Sequence, residues 1–419
     1  MQIKVKKITP AELKQKKPKS AGTPKKPSRF FRWLMRFVAR PHLKKTGFSF
    51  TKKGLERLGK DEPCLILMNH SSFIDLEIAA TVFYPRPLNI VTTMDAFIGK
   101  NWLMRQIGCI ETRKFHTSAK LLREIRYALD TLKTSVLVYP EAGYTFDGTR
   151  TALPESLGKC VKLFGVPVVS VITHGAHLHQ PLFNELRKRD LTVNAEIEYL
   201  LSPEEITNLS AAQINEKIKD TFSFDEYRYQ AENGIELTEA ERATGLHRIL
   251  YKCPACLAEG KTKGEGTTLT CIACSKRYEL TPLGRMQAVE GETEISRIPE
   301  WYAWQRGCVR AELEAGTYGV ETPVLVRVML DGYTVYEIGE GTLTHTADGF
   351  TLRYGDSGEF HLSPTASYSV NADLYWYQLG DTVCIGDHEA QFYCFPKDES
   401  VPVAKFRLAA EENYKLLKK

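Results

Sequence analysis

No run of this 419-residue sequence reaches the eighteen or so apolar residues that span a bilayer, and no short apolar region is followed by a small-residue cleavage site. Neither a transmembrane helix nor secretion is expected. A dense disulfide framework is missing too: of ten cysteines, four form two CxxC pairs and the rest are scattered, which fits a reducing cytoplasm. Acidic residues are nearly absent from the first 60 positions, where nineteen Lys and Arg meet only Glu12 and Glu56, whereas the remainder carries 37 basic against 49 acidic residues. A basic arm on a mildly acidic body points to an anionic partner.

What is present divides the chain. Residues 1–28, rich in Lys, Pro and Ser, read as a disordered basic tail. Residues 29–60 read as an amphipathic helix and linker. On a helix, Arg29, Arg32, Arg36 and Arg40 share one side while Phe30, Phe31, Trp33, Leu34, Phe37 and Val38 share the adjoining one. Rings beside guanidinium groups suit an in-plane helix on an anionic membrane, so residues 29–40 are the expected membrane contact. The expected location is cytoplasmic, peripheral on the inner face of the cell membrane.

From 61 to 232, β-rich runs (PCLILM, PLNIVTT, SVLVYP, VPVVSVIT, LTVNAEIEYL) alternate with helical patterns, which predicts an α/β domain with a mostly parallel sheet covered by helices. A linker over 233–250 leads to Cys253, Cys256, Cys271 and Cys274, two CxxC pairs fourteen residues apart, which predict a small zinc ribbon over 251–282. Few aromatics and modest charge there favour a structural staple over nucleic-acid binding. A helical linker over 283–318 precedes 319–419, where about seven short alternating strands and a closing helix predict a β-barrel-like domain with a capping helix. That element order resembles the pleckstrin-homology or GRAM-like barrel.

The candidate chemistry lies in LILMNHSSFIDL. If CLILM is a buried strand and DLEIAA opens a helix, His70 stands on the connecting turn with Asp75 able to accept from its ring, fixing the tautomer of a general base. Three further stretches accompany it: GCIETR (108–113), VYPEAG (138–143) and GVPVVSV (165–171). Together they resemble the glycerolipid acyltransferase family that includes 1-acylglycerol-3-phosphate acyltransferases, over roughly residues 60–230. The resemblance implies His70 as base and Asp75 as its orienter. It also implies Asn69, Gly108, Arg113, Glu141, Gly143 and Pro167 as substrate-binding positions, with Arg113 on the acceptor's phosphate. Acyl-CoA or acyl-carrier protein would be the donor and a lysophospholipid-type hydroxyl the acceptor. In the third block Ala142 and Tyr144 stand where Gly and Arg are usual, and Lys114 or Arg150 offer a substitute cation. THGAHLH, with His174, His177 and His179 but no carboxylate of its own, reads as a strand-end loop lining the site rather than as a metal cluster. The rival readings are an inactive acyltransferase fold that holds lipid or acts as a scaffold, and nucleic-acid binding through the basic arm.

Overall fold

The structure, a computed structural model, describes residues 3–19, 22–115 and 118–418. The predicted strands form, and two more join them. In chain order they are β1 (Ser49–Lys53), β2 (Leu65–Met68), β3 (Leu88–Thr93), β4 (Cys109–Thr112), β5 (Ser135–Val138), β6 (Val168–His174) and β7 (Asn194–Leu201). They make one sheet in the order β1-β7-β6-β2-β5-β3-β4. The five strands from β6 to β4 are parallel, and β7 returns antiparallel to β6 with β1 parallel to it. The central run LILM shows why an unbroken apolar strand is needed here. Ile66 and Met68 point into one core and Leu65 and Leu67 into another, each under helices, so both faces are dry.

The helix Arg29–Lys45 forms, with Ser28 capping Phe31 N–H, and packs on the helix Ile74–Val82. Its aromatic side is bare: Phe30, Trp33, Phe37 and Val38 are exposed. The four arginines do not act alike. Arg29 and Arg40 are exposed, but the Arg36 guanidinium lies 4.6 Å over the Tyr84 ring and Arg32 donates to the carbonyl of Pro85. Among the described residues no helix is long and apolar enough to cross a membrane.

The expected disordered tail is corrected by the structure. Val5–Lys7 forms a strand parallel to Val335–Glu337, and Pro10–Gln15 forms a helix whose Thr9 and Glu12 make a capping box. Ile8 and Leu13 enter the C-terminal core. Apolar residues among the lysines, at 3, 5, 8 and 13, find a sheet whose backbone accepts another strand, which composition alone did not reveal.

Past residue 250, the Cys253–Cys256 turn precedes four short antiparallel strands between Thr262 and Ala288, and the Cys271–Cys274 turn lies between the second and third of them. The helix Ile298–Glu314 leads into a second sheet of β8 (Gly319–Met329), β9 (Val335–Thr346), β10 (Gly349–Tyr354), β11 (Gly358–Leu362), β12 (Asn371–Asp373), β13 (Thr382–Gly386) and β14 (Gln391–Pro396). These seven strands pair antiparallel in the order β11-β10-β9-β8-β14-β13-β12, with Val5–Lys7 added parallel on β9, so β8 joins two meanders and the sheet curls. The helix Val403–Leu417 closes the chain against it. One core runs through the ribbon (Leu269, Tyr278), the linker helix (Trp301), this sheet and the last helix (Phe406), and takes in Phe146 and Leu178 of the α/β domain. The presumed linker 233–250 belongs to it as well: Leu237, Leu246, Ile249 and Leu250 are fully buried.

Candidate active site

Strand β2 ends at Met68 and the turn that follows delivers His70 to the carboxyl edge of the parallel strands, where ligands gather in open α/β sheets. His70 Nδ1 and Asp75 Oδ2 are 3.0 Å apart. The same oxygen accepts from Ser71 N–H at 2.7 Å and Ser72 N–H at 3.0 Å, so a fully buried carboxylate is held by two amides at the head of the helix Ile74–Val82. A carboxylate can only accept from the ring nitrogen facing it, so Nδ1 carries the proton and Nε2 keeps the basic lone pair.

Two aromatic rings enclose the imidazole. Tyr139 lies 4.0 Å from its centroid at 24° and Tyr144 4.2 Å away at 38°. Tyr144 therefore does more than vacate an arginine position, because its ring forms one wall around His70. Sequence reading registered the substitution as a loss and missed the gain. Glu141 is fully buried beneath the turn, accepting His70 N–H at 2.9 Å through Oε2 and Thr151 N–H at 2.7 Å through Oε1. Burial pushes its carboxyl up to about 7.

The remaining positions separate into two groups. Asn69 is fully buried, and its Oδ1 accepts from Thr173 N–H at 2.8 Å while Nδ2 donates to Thr173 O at 3.2 Å, tying the end of β2 to the end of β6. Its side chain is spent on the scaffold. Gly143 lies beside the second sheet, where a methyl group would stand 3.6 Å from Asn371 Oδ1. Gly108 and Pro167 sit at the other edge of the sheet from His70, because Leu65 pairs with Val168 and Ile90 with Cys109 at the amino ends of these strands. Gly108 has φ +88° and a Cβ there would meet Leu88 O at 2.9 Å, so it shapes backbone. For these two, a substrate-binding role is corrected to a scaffold one, since parallel register carries them away from the turn.

Arg113 follows β4 at the correct edge, yet its Nη2 donates to Leu330 O at 2.8 Å and Glu389 O at 3.3 Å, both in the C-terminal domain, and its Nη1 is sealed from solvent. Lys114 is buried between Asp95 Oδ2 at 2.9 Å and Asp373 Oδ2 at 3.5 Å. Burial alone would lower its ammonium, but these two carboxylates hold it above its ordinary value. Arg150 is exposed and donates to Lys219 O at 2.9 Å. A guanidinium does reach the third block, from the far end of the chain: Arg407 Nη1 donates to Tyr144 O at 3.1 Å while its Nε faces Glu411 Oε1 at 3.3 Å. No local sequence signal marks Arg407, because 263 positions separate it from Tyr144.

The histidines of THGAHLH point apart. His174 stacks on Tyr229 and faces Glu226, His177 is fully buried beside Phe183 and Tyr227, and His179 meets Arg189 O and His42 Nε2. Burial drives the His177 imidazole down to about 3. The carboxylates that the segment lacks come from outside it, with Glu226 3.5 Å from His174 Nδ1 and Glu196 3.7 Å from its Nε2.

In the ribbon, Cys253 and Cys274 sulfurs are 3.8 Å apart, those of Cys256 and Cys271 3.7 Å, and all four lie within 4.8 Å of one another. A tetrahedron of zinc–sulfur bonds of about 2.3 Å has edges of about 3.8 Å, so the four thiols fit zinc, and these separations are far too long for disulfides. With all four corners supplied by protein, such an ion is structural.

Residues 49–174 match the family model described as Acyltransferase, from the start of β1 to the last residue of β6, with His70, Asp75, Arg113 and Glu141 inside the matched span. No curated protein matches the chain. Among solved structures it is similar to the 1-acyl-sn-glycerophosphate (LPA) acyltransferase, PlsC, from Thermotoga maritima. The identity is 18% and the TM-score 0.35, covering 46% of this chain and 76% of that one.

Proposed function

We propose that the protein transfers a fatty acyl group from a thioester, acyl-CoA or acyl-carrier protein, to a hydroxyl of a lysophospholipid-type acceptor. The observation that carries this reading is the His70–Asp75 pair at the carboxyl edge of an acyltransferase-family sheet. In the reaction His70 Nε2 takes the hydroxyl proton as the oxygen attacks the thioester carbonyl. The C–O bond forms, the C–S bond breaks, and the imidazolium returns its proton to the departing thiolate, giving ester and free thiol. Asp75 compensates the transient imidazolium. The amides of Ser71 and Ser72 are engaged by Asp75, so donors for the oxyanion come from elsewhere in the site. Purified His70→Ala should lose about 10³-fold in transfer rate while melting like the parent, as expected for removal of a general base. Retained activity defeats the mechanism and favours the lipid-holding reading.

A membrane-bound acceptor calls for a surface on which the enzyme can dock. The support is a bare aromatic face. Phe30, Trp33 and Phe37 are exposed on one helix, Trp102 is exposed and packs 5.7 Å from Phe31, and exposed Phe73 touches Tyr144, the wall of His70. A variant with Trp33 and Phe37 changed to serine should sediment far less with anionic vesicles. Equal sedimentation of variant and parent removes this docking face. The C-terminal sheet and helix are read as a pleckstrin-homology or GRAM-like module on the strength of strand order.

A further inference from the structure

The second sheet stands against the catalytic loop. Asn371 and Asp373, two apart on β12 and so on one face of it, meet Gly143 and Lys114 respectively. Asn371 is 6% exposed, yet its amide Nδ2 has no hydrogen-bond partner in the described structure. Such a buried donor costs free energy unless something completes it.

The charges around this wall are unsuited to a phosphate monoester. Lys114 is outnumbered, with Asp95 at 2.9 Å and Asp373 at 3.5 Å, and Asp75 lies behind His70. Arg113 gives its Nη2 to two carbonyls, its Nη1 is buried without a partner among the described residues, and the carboxylates of Glu111, Asp387 and Asp331 balance its charge. Arg407 is shared between Glu411 and a carbonyl, and Arg150 lies on the surface. The Tyr144 hydroxyl senses the same surroundings: burial, then Asp75, Asp373 and Asp95, raise it well above its ordinary value. A dianionic head group brought here would meet a carboxylate excess in a partly desolvated site, where like charges repel strongly.

We infer that β12 forms the acceptor side of the active site and that the acceptor is a lysolipid whose head carries no net negative charge, contacted by Asn371. This rests on the acyl-transfer reading. The two sources of such chemistry are a zwitterionic phosphodiester with an ammonium group and an uncharged glycerolipid.

The test is acyl transfer by the full-length protein, with labelled acyl-CoA and acyl-carrier protein as donors. The acceptors, in neutral mixed micelles, are lysophosphatidate, a zwitterionic lysophospholipid and a monoacylglycerol. The expected result is a kcat/KM at least about tenfold higher for one of the two acceptors without net negative charge, and which one identifies the source. A preference for lysophosphatidate overturns the inference and leaves acyl transfer standing. Failure to transfer to any acceptor, with the thioester unconsumed, overturns the acyl-transfer reading itself. Asp373→Asn, checked for folding by its melting temperature, should narrow the preference several-fold; a folded variant with the preference unchanged removes Asp373 as its cause. The comparison of acceptors on the native protein decides the inference even where that variant does not fold.

Discussion

Two loops meet at His70, and they are built in opposite ways. The turn Asn69–Asp75 is local: its carboxylate, its two amide donors and the imidazole lie within six consecutive residues, 70–75, and the helix that follows fixes their spacing. The loop after β5, from Tyr139 to Thr151, is held from afar. Glu141 reaches back to His70 N–H, Arg407 of the last helix takes Tyr144 O, and Asn371 of the second sheet sits against Gly143. The first loop keeps the pattern that its resemblance implies, while the second departs from it. A motif that closes on itself tolerates little change. One braced by other parts of the chain can exchange an arginine for a tyrosine when a guanidinium arrives from elsewhere.

Changes in either loop can sharpen that contrast. Asp75→Asn should have the larger effect, because an amide in place of the carboxylate can present N–H to Nδ1 and favour the wrong tautomer, lowering kcat by about 10³-fold. The same change meets the Ser71 and Ser72 donors with a weaker acceptor, so a fall in melting temperature should accompany it. If Asp75→Asn retains kcat, the local pair is not the working unit. Arg407→Lys should have the smaller effect, about 10- to 100-fold on kcat, since a displaced Tyr144 loosens the imidazole's orientation without removing it. The lysine keeps a second charge for Glu411, whereas Arg407→Leu would leave that buried carboxylate with Arg306 Nη1 at 2.6 Å and Ser369 Oγ at 2.8 Å as its partners. The readout is the His70 ring-proton shift, which depends on the tilted Tyr144 ring beside it; a folded Arg407→Lys with that shift and kcat both unchanged means the third block stands without the last helix.

Much of the fold was legible in residue order. LILM, VVSVIT and their neighbours are apolar and β-branched, and the amphipathic stretches between them have helical spacing, so the parallel sheet follows from pattern. β1 and β4 were less visible: SFTKK is exposed at every position, and CIET is half-polar at an edge. The basic tail misled for a related reason, since Ile8 and Leu13 are too few to announce a structured segment unless a receiving sheet is known. Gly108 and Pro167 entered as site residues through the motif blocks, and only parallel register shows that those blocks begin at the far edge of the sheet.

The sequence by itself brought out the His70–Asp75 pair and the four zinc-fitting cysteines, because in each case the chemistry needs residues a few positions apart and a short segment has few ways to arrange them. Tertiary structure alone decided which cations are already paired, that Tyr144 forms a wall of His70, and that the second sheet closes the site. Pairing across 217 to 277 positions, as in Arg113 with Leu330 and Lys114 with Gln391, leaves no local pattern. Charge in a buried site is a sum over whatever folding brings together, and that sum is the basis of the acceptor we infer.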